Sequence, residues 1–164
     1  MSQNDEETYV ESQVIMSTVK VVTPFVLTYG LYITFHGADA PGGGFQGGAV
    51  IGTVVLMIAF AFGIEPTRGW LDNRVVVGLI AGGVAAFGLI GLVSMVRGGA
   101  FLEYRLLPIH HPVKYGIEGV EILGIAAIVS GAVIGLFFVM GAGFATGAII
   151  EGDSETAVDG GERE

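Results

Sequence analysis

Apolar residues run along this chain in four long stretches, Val14–Phe35, Gln46–Ile64, Val75–Val96 and Ile117–Ala142, parted by short segments in which Gly, Pro, His and charged residues collect. Each stretch approaches or exceeds the roughly 20 residues a helix needs to cross about 30 Å of hydrocarbon at about 1.5 Å per residue. The third contains no charged residue, and the fourth has none between Glu121 and Glu151. The pattern therefore predicts an all-α integral membrane protein with four transmembrane helices and short connections. The membrane domain spans residues 14–150, between acidic disordered tails at 1–13 and 151–164.

The first stretch departs most from uniform apolarity, because it holds Lys20 and Pro24. Lys20 lies about two turns from the start, where its stem can snorkel to the headgroups. Pro24 removes one backbone donor and frees a carbonyl for neighbours to satisfy.

Composition supports this reading. The chain is 52% hydrophobic and 14% charged, against about 25% charged in a typical soluble domain. So few charges cannot clothe a soluble core of this size, so lipid must cover the apolar surface. Glu and Asp crowd the two ends, and this balance would suit a halophilic prokaryote. The net charge of -9, with only seven Lys and Arg, excludes a phosphate-tracking nucleic-acid surface. The absence of Cys removes disulfides, thiolate metal sites and thiol catalysis together. The acidic start, without a basic n-region, is not expected to be a signal peptide. Arg68 and Arg74 in the second connection face Arg97, Arg105 and Lys114 in the third, too even a split for the positive-inside rule to set orientation.

Small residues recur at four-residue spacing within the spans: Gly48 with Gly52, Gly78 with Gly82, Gly131 with Gly135, and Gly143 with Gly147. In lipid, such pairs let helix backbones approach closely, either within the chain or against other subunits.

The residues able to carry chemistry are few. His36-Gly-Ala-Asp39-Ala-Pro41-Gly42-Gly43-Gly44-Phe45-Gln-Gly-Gly48 forms a compact turn between the first two spans. Pro41 disfavours helix before it, and the glycines permit close backbone approach. No Lys-Ser/Thr pair follows, so this is not a phosphate loop. His36 and Asp39 are its only ionisable groups and suit either an ion or proton entry path or a capping role. Glu118 and Glu121, three apart at the start of the last span, share one helical face, and Lys114 is placed to pair with Glu118. They too can serve either an ion path or plain capping. His110 and His111 lack a third ligand at helical spacing and read as loop residues, so no metal is expected. No catalytic triad or dinucleotide pattern occurs, and neither an enzymatic site nor a cofactor is expected.

The stretch Val14–Gly63, centred on Tyr32-Ile-Thr-Phe-His36-Gly-Ala-Asp39-Ala-Pro41-Gly-Gly-Gly-Phe45-Gln-Gly-Gly48, resembles the MnhB-type small subunit of multisubunit sodium/proton antiporters of the Mrp class. In the last span the family often has an acidic residue two positions before a glycine, whereas Glu121-Ile-Leu-Gly124 places it three before. The resemblance implies a small, multi-pass subunit of a hetero-oligomeric Na+/H+ antiporter in the cell membrane, partnered by large proton-channel subunits. This chain alone has too few buried ionisable residues for a full relay. Its implied contribution is to assembly, with an ion-path role for His36, Asp39, Lys20, Glu118 and Glu121 left to test. Two alternatives stay open: a homologous subunit of a membrane-bound hydrogenase or other complex I-like assembly, and a purely structural packing subunit.

Overall fold

The computed structural model describes residues 12–159 except Ala38 and Ala40, with side chains through residue 143. Four helices are long and apolar enough to cross a membrane. They are α1 (Gln13–Phe35), α2 (Gly44–Phe62), α4 (Asn73–Val96) and a final span, Pro112–Gly143. The final span is built from α5 (Pro112–Gly119), a π-helical segment (Val120–Ala126) and α6 (Ala127–Asp159). These spans match the apolar stretches to within a few residues, because the length of hydrocarbon to be crossed sets the length of each run.

Two features depart from the hydropathy pattern. The second connection contains a short helix, α3 (Ile64–Trp70), separated from α2 by Gly63 at φ 96°. At the other end, α6 continues as helix through Asp159, past residue 151 where the acidic tail was placed. A helix already under way adds residues without paying again for nucleation. Of the acidic tails expected at 1–13 and 151–164, residues 1–11 and 160–164 lie outside the described residues.

The spans stand in a row: α1 packs on α2, α2 on the final span, and the final span on α4. Burial follows position. One third of the α2 window and one third of the final-span window are buried, against 17% for α4 and 6% for α1. The outer helices thus leave wide apolar faces for lipid or other subunits. Val76, Ile134 and Phe138 form the buried cluster between α4 and α6, with Val55, Ile64 and Ile80 against it.

Glycine decides how closely the row packs. A Cβ on Gly48 would lie 2.7 Å from the Ala126 carbonyl oxygen, and one on Gly52 3.0 Å from Val133. A Cβ on Gly131 would lie 2.8 Å from Ile80. These two predicted small-residue pairs are therefore internal contacts. Gly78, Gly82 and Gly143 differ, with nothing among the described residues within 4 Å of a Cβ. On α4 the contact is made instead by Gly83, whose Cβ would lie 2.8 Å from the Gly124 carbonyl oxygen and 2.7 Å from Ile128.

Candidate functional site

The turn between α1 and α2 closes over the side chain of Glu121. His36 ends α1, its N–H donating to the carbonyls of Tyr32 and Ile33. The His36 ring stacks on Tyr32 at 4.3 Å, and Nδ1 lies 3.0 Å from the Tyr32 carbonyl oxygen. A carbonyl can only accept, so Nδ1 carries the proton of that bond. His36 is thus the C-cap of α1.

Gly43 is the N-cap of α2 at φ 128°, ψ −164°, a region open essentially to glycine alone. A Cβ there would stand 2.6 Å from Glu121 Oε1, and one on Gly37 would overlap Glu121 Oε2. On Gly44 a Cβ would meet the Glu121 backbone, 2.9 Å from its Cα. The carboxylate is thus lodged between the two ends of the turn, and the backbone of α2 rests on the backbone that carries it. Glu121 Oε2 is buried with no hydrogen-bond partner among the described residues. Burying such an oxygen unpaired is costly.

The backbone carrying Glu121 is the π-helical segment. A π turn widens the helix and interrupts its regular hydrogen-bond ladder, and such turns are frequent at functional sites. Here the segment is gripped from both sides, by Gly44 and Gly48 of α2 and by Gly83 of α4.

Toward the surface, Asp39 and Lys114 form an ion pair with Nζ and Oδ2 2.5 Å apart, and Glu118 Oε1 lies 4.0 Å from the same Nζ. Lys114 therefore bridges the turn to α5, although Asp39 and Lys114 are about half exposed. Exposed pairs contribute little stability, typically under about 1 kcal/mol, so this one orients the turn more than it holds it. Asp39, Glu118 and Glu121 are thus brought to one end of the molecule with His36. Lys20 is not: sixteen residues of helix separate it from His36, about 24 Å at 1.5 Å per residue. Its Nζ sits 5.5 Å from the Phe62 ring centre instead, an attraction that helps place an ammonium at the edge of the bilayer. Phe45 is exposed beside the turn.

His110 and His111 sit in the third connection, and the described residues contain no group of three His, Asp or Glu able to hold a metal. Tyr104, in the same connection, has a role that residue spacing did not reveal. Burial, and after it the negative charge of Glu121, raise its phenol above the ordinary range. A raised folded-state value makes this group's contribution to stability complete below about pH 10 and lost as pH climbs through the folded value. Glu121→Gln should therefore move the Tyr104 phenolate transition to lower pH. The absorbance difference between each background and its Tyr104→Phe counterpart checks this, and an unmoved transition would place the carboxylate too far away to matter.

The Glu121 carboxylate in its glycine turn lies inside the segment that decides kinship. Residues 14–139 match the family model described as a domain related to the MnhB subunit of Na+/H+ antiporter. The chain belongs to the MnhB family. Relatives named antiporter subunit mnhB2 include one from Staphylococcus saprophyticus, 33% identical over 129 residues, covering 76% of this chain and 91% of the relative. The Staphylococcus haemolyticus protein is 28% identical over 138 residues, with 81% and 97% covered, and that of Staphylococcus aureus strain Newman is 30% identical over 129, with 76% and 91% covered. The matched region begins inside α1 and ends inside α6, so the MnhB family region reaches all four spans and contains the turn and the π-helical segment.

Proposed function

We propose that this MnhB-family chain works in the cell membrane as a small subunit of a multisubunit Na+/H+ antiporter, and that Glu121 binds the exchanged proton or cation at the turn end of the molecule. The observation that carries this reading is the buried, unpartnered Glu121 Oε2 inside a turn whose glycines leave room for nothing larger. A carboxyl group at that depth gains most from what it lacks, a proton or a small cation. Asp39, Lys114 and Glu118 stand at the same end of the molecule with their side chains partly exposed, and His36 ends the helix that leads into the turn. Large channel subunits carry the charge onward, since among the described residues the other acid within the spans, Glu118, lies three positions from Glu121 at the same end.

The test is Na+/H+ exchange in everted vesicles from cells that carry the complex, with co-purification of the other subunits measured in parallel. Glu121→Gln preserves size and hydrogen-bonding shape but cannot bind or release a proton. The complex should assemble at normal yield while exchange falls to background. Normal exchange in an assembled complex would return the chain to a purely structural role.

A further inference from the structure

A cleft opens between α4 and α6 at the opposite membrane surface from the turn, beside α3. Its volume is about 550 Å³, within the roughly 300–1,000 Å³ usual for small-molecule sites. Val76, Val77, Ile80 and Phe138 wall its depth, while Arg68 and Asn73 stand at its mouth. Gly135 also lines it, its missing side chain adding width.

The mouth is at headgroup depth. α3 joins the end of α2 to the start of α4, and its Trp70 is 72% exposed, as expected of an indole at the boundary between hydrocarbon and water. Arg68 is exposed and has no ion pair or side-chain hydrogen bond among the described residues. Asp72, the acid that also lines the mouth, is engaged in capping α4, its Oδ1 accepting from the Arg74 N–H at 3.0 Å. A guanidinium left free at headgroup depth above an apolar cleft has the polarity profile of one ligand class. The ligand is anionic at one end, at the membrane surface, and hydrocarbon below it.

From this arrangement we infer that the cleft holds an anionic phospholipid, its phosphate on Arg68 and one acyl chain along Val76, Val77 and Ile80. Arg68 shares the lining with Asp72; a cation at headgroup depth attracts anionic headgroups, and the planar guanidinium can engage two phosphate oxygens at once. The site is independent of Glu121 and of the reading built on it.

The full-length chain, purified in mild detergent with the subunits that accompany it, is exchanged against equal amounts of phosphatidylglycerol and phosphatidylcholine, and retained lipid is counted by native mass spectrometry. Wild type should retain phosphatidylglycerol preferentially. Arg68→Gln should lower that retention about tenfold, the scale of one charge-assisted contact. Val77→Trp, which fills the cleft from a position already 54% exposed, should lower it as well, and Arg105→Gln in the third connection should not. Equal retention of the two lipids, or unchanged retention by Arg68→Gln, overturns the proposal. So does displacement of the lipid by inorganic phosphate alone, which would make this an ion site. Loss of a co-purifying subunit from Val77→Trp overturns it in favour of a partner helix in the cleft.

Discussion

Gly43→Ala is expected to abolish Na+/H+ exchange and to lower the yield of assembled complex. Two costs meet at this position. The backbone conformation at φ 128°, ψ −164° costs a non-glycine residue on the order of 1–3 kcal/mol. The new Cβ would also stand 2.6 Å from Glu121 Oε1, the end of a flexible side chain, so the carboxylate must shift out of the place the turn gives it. The backbone strain by itself reaches the roughly 1.4 kcal/mol that corresponds to tenfold in an equilibrium, so the turn should abandon its native path over the carboxylate. Vesicle exchange assays and complex yield check this. The double variant Gly43→Ala with Glu121→Ala separates the two costs: it removes the collision and leaves the backbone strain, so yield should recover in part while exchange stays absent. Normal exchange by Gly43→Ala would mean that the turn does not close on Glu121 in the working complex.

The second large effect lies on α4 and depends on a difference of one residue. Gly83→Val should strongly destabilise the chain, because its side chain would enter the crossing where the Gly124 carbonyl and Ile128 lie under 3 Å from a Cβ. In a membrane, close helix approach is a main source of association, so separating α4 from the π-helical segment removes contacts that nothing else replaces. Gly82→Val adds the same side chain where nothing among the described residues lies within 4 Å, and the isolated chain should tolerate it. Thermal unfolding in detergent measures the contrast, with the transition of Gly83→Val well below that of Gly82→Val. Equal transitions would show that the α4 crossing is looser than described. Co-purification adds a separate reading, since loss of partners from Gly82→Val alone would identify that open face as an assembly surface.

Much of this arrangement was written along the chain. Four apolar runs of sufficient length become four spans because the bilayer leaves a buried backbone no alternative to helix. The motif from His36 to Gly48 by itself marks both the turn and the family. Glu118 and Glu121 were recognisable as acids at the start of a span, and Lys114 as a partner for Glu118.

The pairings were not legible, because they join residues far apart in sequence. Lys114 lies nearer to Asp39, 75 positions away, than to Glu118, four away. Local spacing on a helix could propose only the second contact. Tyr104 reached the neighbourhood of Glu121 through the path of the third connection, which no periodicity describes. Small residues four apart showed where helices can approach but not which neighbour each would meet. Gly48 and Gly131 meet the adjoining span, whereas Gly78 and Gly82 meet nothing among the described residues and Gly83, outside the spacing, makes the crossing.

The sequence by itself determined that this protein lives in lipid, crosses it four times and turns after α1 on a glycine-rich segment. Those properties follow from local composition and from the thickness of hydrocarbon. Only the tertiary structure decided that the turn encloses Glu121. That enclosure needs α2 packed against the π-helical segment at backbone distance, and such an approach depends on two glycine-bearing surfaces meeting in register, which neither surface specifies alone.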